Sequence, residues 1–206
     1  METLNQAMFL YLNAPAHLGA TVLLTIGFLA EGLIWLIPIG LLFGWFRGGD
    51  ATRKAMIEAT VAAALALLLA QLIGMVWVHP RPFMIGMGHT YLVHVADASF
   101  PSDHLTPWWT VSFSLITHSG LRAAGVLLGL LGIVIAWARI YLGVHFPLDM
   151  AGAAALALVC NEGLRQPSSV FRRAAVCLGN GSAPEHAVAA DPARLGAWLN
   201  RSEDCA

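Results

Sequence analysis

Apolar runs of bilayer length, separated by short segments that hold most of the charge, limit this chain to one kind of fold. Residues 18–45, 55–78, 104–121, 121–140 and 147–164 are dominated by aliphatic and aromatic side chains. A bilayer-crossing helix needs about 20 such residues, and only a helix or closed barrel satisfies its backbone there. Of 206 residues, 58% are hydrophobic and 11% charged, and mean hydropathy is +0.69. Soluble domains carry about 25% charge. The expected fold is therefore all-α, a polytopic membrane helical bundle of about five transmembrane spans.

Within that plan, residues 1–15 read as a short amphipathic helix lying at the interface. Leu4, Met8 and Tyr11 or Leu12 share one stripe, and Pro15 ends it. The first long run exceeds one bilayer, so tilt or a break at Pro38 is expected. The third run is short. Residues 1–165 form the expected membrane domain. Residues 166–206 have the polar, small-residue composition of a partly disordered cytoplasmic tail. The start of the chain lacks the basic residues and short apolar core of a cleaved signal peptide.

Charge gives orientation. All of the 11 Lys and Arg residues except Arg81 and Arg139 fall on one side of the expected spans, counting the tail. The positive-inside rule puts that side in the cytoplasm. Arg81 and Arg139 are then left on the outer face, where they need a local reason to be. The net charge of −1 points away from nucleic acid. Cys160, Cys177 and Cys205 are odd in number and lack metal spacing, so neither a disulfide framework nor a metal centre is expected.

The outer face collects three polar stretches. His79-Pro80-Arg81-Pro82-Phe83 leaves the second span, Phe100-Pro101-Ser102-Asp103-His104 enters the third, and residues 139–149 join the fourth to the fifth. His145 and Asp149 lie four apart, on one face of a helical turn. A carboxylate against one ring nitrogen fixes the tautomer and frees the other nitrogen to attack. Arg81 and Arg139 offer planar forks of donors to phosphoryl oxygens. Ser102 is placed to cap the third span, turning free backbone N–H groups toward an anion. His104 can serve as a general acid. Taken singly, Ser102 reads as an ordinary cap and His104 as an interfacial histidine. The joint placement favours chemistry.

These motifs, Arg81-Pro82, then 101–104, then Arg139-x5-His145-x3-Asp149, resemble the three-part signature of the type-2 phosphatidic acid phosphatase superfamily. The tract 96–104 resembles the bacitracin-resistance-type undecaprenyl diphosphatases, with Asp103 where the wider superfamily has Gly. The likeness covers residues 1–165. It implies His145 as nucleophile, Asp149 as its orienting partner, and His104 as acid and then base. Arg81, Ser102 and Arg139 would hold the phosphate. It implies no metal, no cofactor, a polyprenyl diphosphate substrate, and a bacterial plasma-membrane enzyme with its site on the outer face. Two positions depart from the wider pattern: Gly74 stands where a lysine is usual, and Ala138 where a serine is. His79 is a candidate to replace the missing charge.

Other polar groups have two readings each. Glu31 lies mid-span and either hydrogen-bonds a site group such as Arg139 or sits neutral between helices. His94 and Asp97 either touch the second phosphate or are plain loop polarity. Trp35, Trp45, Trp77, Trp108, Trp109 and Trp137 read as interfacial belt. His118 reads as structural, and Gly143 as the residue that permits a tight turn. The rival functions are a phosphatase for another lipid phosphate (phosphatidylglycerophosphate, phosphatidate or lipid A) and, from another class, a small membrane transporter. The oligomeric state is not encoded in any feature of the chain.

Overall fold

The computed structural model describes residues 1–179, with side chains described as far as Leu164. It is all-helical among the described residues. In order come α1 (Glu2–Leu12), α2 (Ala20–Gly27), α3 (Leu36–Arg47), α4 (Asp50–Val76), α5 (Leu105–Ile116), α6 (Arg122–Tyr141) and α7 (Pro147–Gly179). Residues 1–161 form one compact unit and 162–206 a second. The reading of 180–206 as tail lies outside the described residues, whereas 166–179 continue α7.

Among the described residues, three segments are long and apolar enough to cross a membrane: Ala20–Arg47, Asp50–Val76 and Arg122–Tyr141. At 12 residues, α5 is only about 18 Å long, well short of a hydrocarbon core. The first segment is irregular, but not at Pro38 itself. A π-helical turn (Phe28–Gly32) and a 3-10 turn (Leu33–Trp35) separate α2 from α3. Pro38 then sits in the first turn of α3, where its missing N–H matters least. The disturbance falls upstream because the proline ring crowds the carbonyl four residues before it, that of Ile34.

Small residues set the spacing around α5. On α4, Ala55, Ala59, Ala62, Ala66 and Ala70 recur along one buried face. On α6, Gly125 and Gly132 are buried, and a Cβ at Gly125 would lie 2.6 Å from the backbone nitrogen of Ile116. Such faces let backbones approach closely inside a membrane bundle, where lipid-exposed apolar surface supplies no drive of its own. Gly132 opposes Trp108 and Trp109, which are buried and donate their indole N–H groups to the carbonyls of Leu128 and Gly129, at 2.7 and 3.4 Å. These two tryptophans are therefore core, not interfacial belt. Their indole donors found helix carbonyls exposed by the glycine-rich face of α6. Trp35, Trp45, Trp77 and Trp137 are exposed, as a belt requires.

The two ends of the bundle differ. The α3–α4 and α5–α6 turns carry Arg47, Arg53, Lys54 and Arg122, and there His118 Nε2 lies 3.2 Å from Glu58 Oε2. The opposite end holds α1, the long segment 77–104 and the α6–α7 turn. There α1 turns its stripe of Leu4, Met8 and Tyr11 outward and packs through Asn5 and Phe9. Phe9 stacks edge-on against Phe146 at 5.2 Å, and Asn5 Oδ1 accepts the backbone N–H of Leu148 at 3.0 Å. Asn13 receives and gives hydrogen bonds to His89 and donates to the Tyr141 carbonyl. Gly143 has φ +83°, and a Cβ there would meet the His89 carbonyl oxygen at 2.2 Å. The turn into His145 thus requires glycine, as the sequence suggested.

Candidate active site

All three polar stretches converge at this second end, inside the unit 1–161. Arg139 arrives in the last turn of α6, Asp149 in the first turn of α7, and His145 in the turn between them. Arg81 precedes a 3-10 turn (Pro82–Ile85). Arg81, Arg139, His145 and Asp149 are all essentially inaccessible to solvent. Four charged or ionisable side chains buried together in a bundle with an apolar exterior are costly unless they serve each other.

They do so through an ordered set of contacts on the His145 ring. Nε2 lies 2.9 Å from Arg81 Nη1 and 3.4 Å from Arg139 Nη2. Guanidinium groups only donate, so Nε2 carries a lone pair. Nδ1 has three acceptors, the Ser99 carbonyl at 3.1 Å, Ser99 Oγ at 3.3 Å and Asp149 Oδ2 at 3.4 Å, against one donor, Arg81 Nη1, also at 3.4 Å. Nδ1 therefore holds the proton. Burial, then the positive charges of Arg139 and Arg81, hold the His145 pKa well below the ordinary histidine value. The ring is neutral, and its lone pair points at two cations.

Asp149 is positioned in turn. Its Oδ2 accepts from the Phe146 N–H at 2.7 Å and from the Ser99 hydroxyl. Its Oδ1 faces His79 Nδ1 at 3.8 Å, and neither of those two atoms has a hydrogen-bond partner. On its other side, His79 Nε2 is 3.5 Å from Glu2 Oε2. His79 therefore lies behind Asp149, between it and Glu2. The cavity beside Gly74, about 160 Å³, is lined by Asp97, Ala98, Phe100 and Asp103 but not by His79.

Other expected residues find definite places. Asp97 Oδ1 takes Arg81 Nε and Nη2 at 2.8 and 2.7 Å, so it holds the arginine from its solvent side. Ser102 is buried; its Oγ accepts the Leu105 N–H at 3.4 Å, although His104 is the residue at the α5 N-cap. His104 Nδ1 and Asp103 Oδ1 are 3.2 Å apart. Burial raises the Asp103 pKa, but the His104 hydrogen bond and the positive charge of Arg139 act against it, and the carboxyl is held well below its usual range. Glu31 is exposed and acts on Arg139 only by charge through space. The neighbouring carbonyl of Ala30, in the π-helical turn, accepts from Arg139 Nη1 at 3.3 Å.

His94 stands between the two catalytic-type histidines. Its ring centroid is 6.1 Å from that of His145 and 6.3 Å from that of His104. Its Nε2 accepts from Arg139 Nη2 at 3.1 Å. Burial and the charge of Arg81 lower its pKa, so it too is a neutral imidazole. His94, Asp103 and His104 each offer a ligand atom, all within 4.8 Å of one another. No sequence spacing showed this, since His94 is ten residues from His104 in a loop.

Residues 55–162 match the PAP2 superfamily. The chain belongs to that family. YbjG of Escherichia coli is 38% identical over 152 residues, 74% of this chain and 76% of that protein. The undecaprenyl-diphosphatase BcrC of Bacillus subtilis is 30% identical over 156 residues, 76% of this chain and 80% of that one. The fold is also that of Aquifex aeolicus LpxE, with TM-score 0.64 over 77% of this chain and 92% of the other at 22% identity. A PAP2-type phosphatidylglycerolphosphate phosphatase of Bacillus subtilis gives TM-score 0.57 over 81% and 86% at 18% identity.

Proposed function

We propose that this PAP2-superfamily protein is a membrane lipid phosphatase that converts undecaprenyl diphosphate to the monophosphate and inorganic phosphate through a phosphohistidine. One observation carries the chemistry: the lone pair of His145 Nε2 faces two buried guanidinium groups while its Nδ1 proton faces Asp149 and Ser99. The relationship to BcrC carries the choice of substrate.

In this reading the terminal phosphate binds where Arg81 and Arg139 now converge, its oxygens taking the donors that His145 holds in their absence. His145 Nε2 attacks phosphorus, and the bond from phosphorus to the bridging oxygen breaks. The electron pair leaves with the lipid monophosphate, which His104 protonates. The Nδ1 proton stays on the ring, and Asp149 offsets the positive charge that develops there. Water then attacks the phosphohistidine; His104 removes its proton, the P–N bond breaks, and phosphate is released. The two arginines stabilise the charge spreading over the equatorial oxygens. Removing one such preorganised donor typically costs about 10²–10³ in rate.

We also infer a five-span topology with the site on the outer face of a bacterial plasma membrane, because the basic turns lie at the other end of the bundle. Recycling of a cell-wall lipid carrier and resistance to bacitracin follow from that placement. Reporter fusions after Arg122 and after residue 90 test it, and a cytoplasmic signal from residue 90 overturns it.

The deciding experiment measures phosphate release by purified protein from undecaprenyl diphosphate, phosphatidylglycerophosphate and phosphatidate in parallel. The diphosphate should give the highest kcat/KM. Preference for either phosphomonoester would overturn the substrate assignment while leaving the phosphatase chemistry in place.

A further inference from the structure

His94, Asp103 and His104 come together at the accessible side of the arginine pair. Asp103 and His104 are consecutive residues leading into α5, and His94 reaches them from the preceding loop. All three are half-buried, so the cluster is reachable from solvent. Two imidazoles and one carboxylate are the donor set of a three-ligand zinc centre with an open fourth position, and their ligand atoms lie within 4.8 Å of one another, so side-chain rotation has only a short way to bring them onto one ion.

We propose that His94, Asp103 and His104 form an inhibitory zinc site at the mouth of the phosphate-binding pocket. Binding there has a cost. His94 must give up either its Nε2 contact with Arg139 or its Nδ1 proton, and the positive charges of Arg81 and Arg139 lie close by. That cost selects a metal with high affinity for imidazole. Mg²⁺ and Ca²⁺, which take oxygen ligands, are excluded by the same donor set. Inhibition follows from coordination of His104. A ring nitrogen bound to zinc cannot be protonated, so the imidazolium that donates to the leaving group cannot form. The inhibitory effect rests on the proposed role of His104; the binding does not.

The test uses the full-length purified protein after treatment with a chelator and its removal. Zinc binding is measured directly by calorimetry, and Co²⁺ is used as a spectroscopic probe of imidazole ligation through its visible absorption. Turnover is followed with an aryl phosphate, which does not chelate zinc as a diphosphate does and still requires His104 for the second step. The expected result is one equivalent of zinc bound, turnover lost as it binds, and recovery with chelator. His94→Ala and Asp103→Asn should each weaken zinc binding by about tenfold or more. Each variant's sensitivity is read as the ratio of its rate with and without zinc, whatever its basal rate. Absence of stoichiometric binding, or binding and inhibition unchanged in both variants, would overturn the site. One equivalent of zinc bound with full turnover would overturn the inhibitory role and count against His104 as the proton carrier, without touching the substrate assignment.

Discussion

Arg81 Nη1 and His145 Nε2 are 2.9 Å apart, the shortest polar contact of that ring. Since arginine cannot accept, this contact requires His145 to be neutral with its proton on Nδ1, against Asp149 and Ser99. The Asp149 carboxylate is thus, with the Ser99 carbonyl, an acceptor that favours the Nδ1–H tautomer, and it alone offers negative charge. Asp149→Asn should bind substrate with nearly unchanged KM and slow phosphoenzyme formation by about 10³–10⁴, the scale seen when an orienting carboxylate is lost. Rapid-quench measurement of the burst separates attack from release. An unchanged burst rate would remove Asp149 from the mechanism.

The same pair predicts a pH profile. Burial, then Arg139 and Arg81, push the His145 pKa well below 6.5, so the attacking form persists in acid where an exposed histidine would be protonated. Phosphoenzyme formation by the wild type should therefore show no loss attributable to His145 as pH falls through the usual histidine range. Arg139→Gln removes a positive neighbour, which raises the His145 pKa. Its acid limb should move to higher pH, on top of a general rate loss of about 10²–10³. A limb that stays in place would show that the arginines do not tune the nucleophile.

Much of this site was legible because short-range spacing carried it. Arg139 and Asp149 flank, and His145 lies in, the one turn between α6 and α7, so their convergence required only that these helices form. Gly143 was readable for the same local reason. What the sequence hid was long-range. Asn5, Phe9 and Glu2 reach the site from the other end of the chain's order, and no periodicity in α1 distinguishes that face from the apolar stripe it turns outward. Trp108 and Trp109 looked like belt residues because their burial depends on Gly132 of a different helix. Ser99 was passed over as one small residue in a polar tract, yet it is completely buried and touches both His145 and Asp149. The only available signal was its position three residues before Ser102. The break before α3 was expected at Pro38 and fell upstream because proline disturbs the turn before it more than its own.

Ser99 deserves a test of its own. Its hydroxyl donates to Asp149 Oδ2, and its backbone carbonyl accepts from His145 Nδ1. Ser99→Ala removes the first contact and keeps the second. Leaving a buried carboxylate short of one hydrogen bond costs about 1–3 kcal/mol, so kcat should fall by about 10- to 100-fold with little change in KM. Ser99→Thr, which retains the hydroxyl, should recover part of the rate. Equal loss in both variants would assign Ser99 to packing alone.

The last prediction separates the two histidines that the mechanism treats differently. His145 is fully buried, with Arg81 and Arg139 at Nε2 and Ser99 and Asp149 accepting at Nδ1, whereas the His104 side chain is 29% exposed and contacts Asp103. If His145 is the nucleophile, His145→Ala should abolish turnover and trap no phosphate on the protein. If His104 is the acid, His104→Ala should slow attack on a substrate whose leaving group needs a proton and do less harm with an activated aryl phosphate. The second step still needs a base, and general acid–base help of this kind is worth about 10²–10⁴. With the aryl substrate, His104→Ala should therefore accumulate phosphohistidine that the wild type does not. The readout is acid-labile, base-stable phosphate on each variant after rapid quench. Label trapped on His145→Ala, or normal turnover by it, would transfer the nucleophile's role to another residue.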